Sequence, residues 1–226
     1  MCRKSVAWQL NSFRECSMES AVQSAILRRF CIIIIKTMIP KNILQMNCRA
    51  DFRRWLSENH DKEAECWLAV KRGKNPPSDS LWYLDAVEEA LCFGWIDSTV
   101  KSVDGVALQR FSRRSKKSTW TELNKERCRR LEALGLMTDR GRDVCPDLSA
   151  EFEIIPEILD AFNDNPLAWE NFKSFPLLYQ RVRIDNIQRV KPSEALFCSK
   201  LDKLIEASRK GEMIGEWNDC GRLTEY

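Results

Sequence analysis

Apolar residues recur every three to four positions along several stretches of the chain, a spacing that lines them up on one face of an α-helix. In RADFRRWLSENH (49–60) this face consists of Phe52, Trp55 and Leu56. In LWYLDAVEEALCFGW (81–95) it runs from Leu81 to Trp95. We therefore predict a helix in each stretch, with a loop at GKNPPSDS (73–80), which is rich in turn-forming residues.

The pattern changes from helical to alternating on either side of Asp104-Gly105, a dipeptide that favours a two-residue hairpin turn. We predict antiparallel strands over Thr99–Val103 and Val106–Phe111. A shorter apolar run predicts a third strand over Cys66–Lys71.

Helical patterns fill the rest of the chain. Ser118 is expected to cap the helix in TWTELNKERCRRLEALG (119–135), and Thr138 is expected to cap a short helix after it. Beyond residue 150 every apolar pattern is helical, with breaks at Pro166, Pro176 and Pro192. The residues after 211 show no such pattern, so we expect a loose tail.

Together these patterns predict an α+β fold: N-terminal helices with a small antiparallel β-sheet or hairpin, followed by an all-helical C-terminal subdomain. We place the α+β domain at residues 47–150 and the helical domain at residues 151–226. Residues 1–46 differ from both, with a β-branched run at Ile32–Ile35, and form an N-terminal extension. One hypothesis is that the natural start is Met38 or Met46.

The composition limits the classes of function. Ten cysteines form no C-x-x-C pair and His60 is the only histidine, which excludes zinc-ribbon spacing and His-rich metal sites. We expect no metal and no cofactor. No stretch reaches the roughly 20 apolar residues that span a bilayer, so we expect no integral membrane association. Reduced, mostly buried thiols indicate a cytoplasmic protein.

Positive charge is concentrated in one segment, although the net charge of the chain is only +3. Between Arg110 and Arg130, nine lysines and arginines are opposed only by Glu122 and Glu126, an excess of +7. A hairpin, a basic loop and a helix N-terminus in this order can bind an anion, because backbone N–H groups and the helix dipole add to the side-chain charges. The alternative is a solvated basic face.

Arg127 is unusual because it lies on the apolar stripe of its helix. The stripe consists of Trp120, Leu123, Leu131 and Leu134. A core-facing arginine is costly unless it is paired or binds an anion. Asp97 is the expected partner, in a structural ion pair with Arg127 or with Arg110. Alternatively, Asp97 forms one wall of a small pocket with Trp95 and Trp120.

These considerations give a set of candidate ligand-binding residues but no catalytic residue. The adjacent acids Glu88 and Glu89 point in different directions on their helix and are expected to be solvated. The candidates are Trp95, Asp97, Lys101, Arg110, Arg113, Arg114, Trp120, Asn124 and Arg127.

Four segments carry a family resemblance: FRRWLSENH, AVEEALCFGWIDSTVKS, LQRFSRRSKKSTWTELNKERCRRLEALGLMTDRG and YQRVRIDNIQRVKPSEALFCSKLDKLIEASRKGE. Over about residues 50–211 the chain resembles the YdeI/OmpD-associated, or bacteriocin-protection, family. The resemblance implies an α+β N-terminal part, a small helical C-terminal part, and a role in protection against bacteriocins or antimicrobial peptides. It implies no catalytic residue. Relatives tend to have an Arg-rich stretch after Lys-Pro-Glu-Thr, whereas this chain reads KPSEALF (191–197).

Three hypotheses of function follow. The first is a non-enzymatic stress-protection protein that binds an anionic small molecule or a protein partner, with Arg110, Arg113 and Arg114 as contacts. The second is a nucleic-acid-binding protein that uses the basic segment 110–130. The third is an enzyme acting on a phosphorylated or acidic substrate, for which Asp97, Glu89 and His60 are the plausible acids or bases.

Overall fold

The computed structural model describes residues 40–115 and 118–226. The N-terminal extension therefore lies largely outside the described residues, as does the hypothesis of a start at Met38. Asn42–Tyr226 form one unit by their internal contacts. This unit combines a sheet, the helices that cover it and a set of C-terminal helices, which confirms the predicted α+β class.

The described residues form four strands and eight helices. The strands are β1 (Ile43–Leu44), β2 (Glu65–Ala69), β3 (Trp95–Val103) and β4 (Val106–Arg113). The first four helices are α1 (Arg49–Asn59), α2 (Tyr83–Cys92), α3 (Glu122–Ala133) and α4 (Asp139–Val144). The C-terminal helices are α5 (Pro156–Asn163), α6 (Pro166–Ser174), α7 (Leu177–Gln188) and α8 (Glu194–Arg209).

The sheet has the strand order β1-β2-β4-β3. The predicted hairpin is confirmed: β3 and β4 are antiparallel, and both turn residues, Asp104 (φ 49°) and Gly105 (φ 80°), have the positive φ that a type I′ turn requires. β2 is also antiparallel to β4, but β1 is parallel to β2, so the sheet is mixed. β1 precedes Met46, and a start at that residue would remove this strand.

Helices α1 and α2 bury the predicted apolar faces against the sheet. Phe52 and Leu56 of α1 are fully buried, and the Phe52 ring lies 5.4 Å from that of Phe111 in β4. Trp55 meets Trp95 edge to face at 5.7 Å. The first apolar stripe identified in the sequence is therefore the helix–sheet contact.

The end of α2 differs from the prediction. The helix stops at Cys92, Gly94 takes a positive φ of 71°, and Trp95 already begins β3. The apolar pattern continued to Trp95 because Phe93 and Trp95 are both buried, one after the helix and the other in the strand. The side chains stay buried across the boundary between α2 and β3, although the backbone changes from helix to strand.

The N-cap of α3 also differs from the prediction. Thr121, and not Ser118, precedes the first turn, and its hydroxyl accepts a hydrogen bond from the Asn124 N–H at 3.1 Å. The predicted stop at Gly135 is confirmed, with φ 66° at that residue. Leu134 lies at the C-cap and is 46% exposed, so its assignment to the buried stripe was wrong.

Helices α5 to α8 pack around an aromatic cluster that includes Phe162, Phe172 and Tyr179. The residues after 211 do not form a loose tail, as was predicted. They fold back so that Leu223 is buried against Leu178 and Val182 of α7. None of the helices in the two described ranges has the length and apolar character needed to cross a membrane.

Candidate ligand-binding site

The buried arginine of α3 is paired, but with a residue that the sequence did not indicate. Arg127 donates through Nε and Nη2 to the two carboxylate oxygens of Asp219, at 2.6 and 2.9 Å. Its Nη1 donates to Asn124 Oδ1 at 2.7 Å. Burial alone would lower the pKa of Arg127, but the hydrogen bonds and the charge of Asp219 outweigh it and raise the pKa. The guanidinium is thus held charged and in a fixed orientation.

Asp97 does not pair with Arg127 or Arg110, so that expectation was wrong. It accepts a hydrogen bond from the Tyr83 hydroxyl at 2.7 Å. Burial and the Asp97 carboxylate raise the pKa of Tyr83 to about 12, so this phenol stays protonated. Arg110 instead lies 2.6 Å from Glu65 in the neighbouring strand β2, since the two residues project from adjacent strands of the sheet.

Arg127 and Tyr83 both line a cavity of about 420 Å³. Its volume falls within the range of small-molecule sites. We call it the Trp82 cavity. Its lining comes from the loop before α2, the first turn of α2, one face of α3 and the C-terminal tail: Arg72, Gly73, Lys74, Trp82, Tyr83, Leu84, Leu123, Arg127, Glu216, Asp219 and Cys220.

The loop before α2 is held against the cavity by contacts with its aromatic residues. The Arg72 guanidinium lies 3.6 Å from the centre of the Tyr83 ring, and its Nη2 donates to Gln109 at 2.8 Å. The Trp82 indole N–H donates to the Gly73 carbonyl at 3.1 Å. Lys74 is exposed and makes no ion pair within the described part of the chain. Aromatic walls and positive charge therefore meet at one opening.

The opposite wall contains unusual backbone. Asp219 (φ 50°) and Cys220 (φ 59°) are consecutive non-glycine residues with positive φ. Such conformations cost free energy and persist only where surrounding contacts enforce them, which happens most often at functional sites. Here the enforcing contact is the Arg127–Asp219 pair, which fixes the tail as part of the cavity wall.

The other candidate residues serve mainly internal contacts. Trp95 is buried and donates to the His60 carbonyl at 3.1 Å. Arg114 is buried too, with its guanidinium 3.5 Å from the centre of the Trp120 ring. Arg113 is exposed and donates to the Glu63 carbonyl at 2.6 Å. The ammonium group of Lys101 lies 5.4 Å from the Trp67 ring. Of the candidate residues, only Arg127 lines the Trp82 cavity.

The adjacent acids Glu88 and Glu89 are not solvated, contrary to the prediction. Each is 1% exposed. Glu89 binds Arg49 at 2.5 Å and Arg53 at 2.7 Å, while Glu88 binds Arg49 at 2.7 Å and Arg130 at 2.8 Å. Arginines from two other helices, α1 and α3, thus converge on two carboxylates, which explains how a charged pair of residues can be buried in α2.

The basic segment pairs part of its excess positive charge with distant acids. Five of its described cations form ion pairs, and three of the partner acids lie outside the segment: Arg110–Glu65, Lys125–Glu122, Arg127–Asp219, Arg129–Glu126 and Arg130–Glu88. Three of the seven excess positive charges that the sequence indicated are therefore paired with acids from outside the segment.

Sequence reasoning missed Arg72, Tyr83 and Asp219 as residues of the site. The loop before α2 has one glycine and no phosphate-binding spacing, so nothing marked Arg72. A signal for Asp219 did exist: an arginine on an apolar stripe requires an acid, and the tail contains acids. In the two described ranges no group of three or more His, Cys, Asp or Glu side chains is arranged to hold a metal ion.

Comparison with family models gives two matches. Residues 151–211 match the family described as bacteriocin-protection, YdeI or OmpD-associated (OmdA). Residues 44–144 match a domain of unknown function (DUF8412). No curated protein and no solved structure matches the chain. The family match confirms the resemblance over residues 151–211, a range that includes the C-terminal helices α5 to α8.

Proposed function

We propose that this chain, whose residues 151–211 match the YdeI/OmpD-associated family, binds a small acidic molecule with a flat apolar body in the Trp82 cavity. The observation that carries the proposal is the combination of aromatic walls, positive rim residues and enforced unusual backbone around one cavity of ligand size.

The chemistry of the lining indicates the class of ligand. Trp82 and Leu123 offer apolar surface to a ring or another flat body, which gains free energy by leaving water. Arg72 and Lys74 offer positive charge to a carboxylate at the opening. Arg127 is already occupied by Asp219, so its role in the cavity is to shape the wall.

The same lining favours binding over catalysis. None of the three acids or bases considered for an enzyme lines the Trp82 cavity. Asp97 accepts a hydrogen bond from the Tyr83 hydroxyl, and Glu89 forms ion pairs with arginines. His60 Nδ1 lies 2.9 Å from the Leu56 carbonyl oxygen. A nucleic-acid role is disfavoured because five of the seven described cations of the basic segment are paired with acids of this chain, which makes them less available for phosphate contacts.

The family description supplies the cellular context of the proposal. We take protection against bacteriocins as the role that ligand binding serves. We place this role in the cytoplasm, because the seven cysteines in the described ranges are free thiols, as is usual in a reducing compartment.

The proposal is tested with a matched pair of probes, indole-3-acetate and its neutral amide, indole-3-acetamide. A ligand at about 100 times its Kd adds about 2.7 kcal/mol, which raises the Tm of a protein of this size by about 5–10 °C. We expect the acid to raise the Tm and the amide to raise it much less. Lys74→Ala should weaken binding of the acid about fivefold, because one charge-assisted contact is lost.

Lys62→Ala is the matched control, since Lys62 is exposed, makes no ion pair among the described residues and does not line the cavity. It should leave the affinity for the acid unchanged. Equal shifts with acid and amide would contradict the proposed class of ligand. A response only to short duplex DNA, lost at high salt, would instead support the basic surface.

A further inference from the structure

A second cavity of about 370 Å³ lies between α7 and α8, and six of its eight lining residues fall in the range that matches the OmdA family. It is separate from the Trp82 cavity, with which it shares no lining residue. Three lining residues come from α7, three from α8 and two from the chain after α8. They are Arg183, Asn186, Ile187, Lys200, Lys203, Leu204, Ile214 and Gly215.

The charge of this lining is one-sided. Arg183, Lys200 and Lys203 contribute three positive charges, and no acidic residue lines the cavity. In the described part of the chain neither lysine makes an ion pair, unlike Lys173 and Lys191, each of which pairs with a glutamate. Three cations around one opening repel each other unless an anion binds between them.

Arg183 is the most constrained of the three cations. Its Nη2 donates to the Glu216 carbonyl, but its Nε is buried and has no hydrogen-bond partner among the described residues. Burial lowers the pKa of the guanidinium, although Tyr179 and Glu216 act in the opposite direction. The side chain fits here because residue 215 is glycine: a Cβ at that position would collide with Nη1. A buried donor without a partner costs free energy, so the Arg183 guanidinium is held in this position at a cost.

The rest of the lining sets the size and character of the ligand. Ile187, Leu204 and Ile214 form an apolar floor, and Asn186 adds one amide that can donate and accept. Lysines bind phosphate as point charges and arginine binds it through its fork of N–H donors. We infer that this cavity binds a soluble, phosphate-bearing small molecule of nucleotide or sugar-phosphate size, with the phosphate between Arg183, Lys200 and Lys203.

The test measures binding of adenosine diphosphate to the full chain by isothermal titration calorimetry, with adenosine as the matched probe without phosphate. We expect binding of the diphosphate and none of the nucleoside. The double variant Lys200→Ala/Lys203→Ala should weaken binding about tenfold or more, because two charged contacts are lost. Alanine is the strongest helix former, so α8 remains folded in this variant.

Two controls separate this site from general charge and from the Trp82 cavity. Lys62→Ala/Lys71→Ala removes the same charge from exposed lysines elsewhere and should leave the affinity unchanged. Lys74→Ala should also leave the affinity for adenosine diphosphate unchanged, whatever it does to the affinity for indole-3-acetate. The inference is overturned if the diphosphate fails to bind at millimolar concentration, if both double variants bind alike, or if duplex DNA competes for the same lysines more tightly than the diphosphate.

Discussion

The buried pair of Arg127 and Asp219 allows the sharpest quantitative prediction. Arg127 is 7% exposed and Asp219 is 9% exposed, and two hydrogen bonds of 2.6 and 2.9 Å join them. Asp219→Asn keeps the size of the side chain and tolerates the positive φ of 50°, so the change removes little except the charge. Removing one partner of a buried pair leaves an uncompensated charge, which costs about 3–5 kcal/mol.

For a chain of this length that cost lowers the Tm by about 6–20 °C. The free energy of unfolding is measured by urea denaturation followed by tryptophan fluorescence. The matched control is Asp139→Asn, the same chemical change in an exposed pair. Asp139 lies 3.0 Å from Arg142 with its own side chain 99% exposed, so its loss costs only about 0–1 kcal/mol.

A double-mutant cycle isolates the interaction. Arg127→Met replaces the buried guanidinium with an apolar side chain, and combined with Asp219→Asn it should cost less than the two single changes added together. We expect a coupling energy of about 1–3 kcal/mol between these neighbours. Additive effects, or a loss in Asp219→Asn no greater than in Asp139→Asn, would show that the pair does not hold the tail.

Two further predictions concern other parts of the fold. In Gly141→Ala a Cβ would lie 2.8 Å from the carbonyl carbon of Cys92, where backbone cannot yield easily, so we expect a loss of about 1–3 kcal/mol in urea unfolding. Arg140→Ala in the same helix should change stability by less than about 0.5 kcal/mol, and equal losses in the two variants would refute the close approach of α4 to α2. Burial would raise the pKa of Glu65, but hydrogen bonds from Arg110 and Trp67 outweigh it and hold the pKa below its ordinary value. This carboxylate therefore stabilises the fold above its unfolded-state pKa, and the contribution is lost as the pH falls through the folded-state pKa. The stability gap between the wild type and Glu65→Gln should shrink from about pH 7 to about pH 3; a constant gap would contradict the assignment.

Local chemistry made much of the fold predictable. The Asp104-Gly105 turn is specified by two residues, since both positions need positive φ, and the hairpin forms where the sequence indicated it. The stop at Gly135 and the cap at Thr138 have the same local origin. Ser118 was the wrong cap because Thr121, three residues later, offered the same chemistry closer to the first turn.

Long-range pairing was much less predictable. The stripe position of Arg127 indicated that a partner must exist, but Asp219 lies 92 residues away in a segment without pattern. Glu88 and Glu89 look like solvent-facing acids when only their own helix is considered. They are buried because they form ion pairs with Arg49 and Arg53 of α1 and Arg130 of α3. These contacts between helices cannot be read from the sequence alone.

The position of the tail has a consequence for how this site can change in evolution. The matched domains end at residues 144 and 211, whereas Glu216, Asp219 and Cys220 close the Trp82 cavity from beyond both of them. Substitutions in those few residues can reshape the cavity while the sequence of each domain stays the same. For the ligand binding proposed above, two relatives with matching domains and different tails would then prefer different ligands, although neither domain sequence would differ.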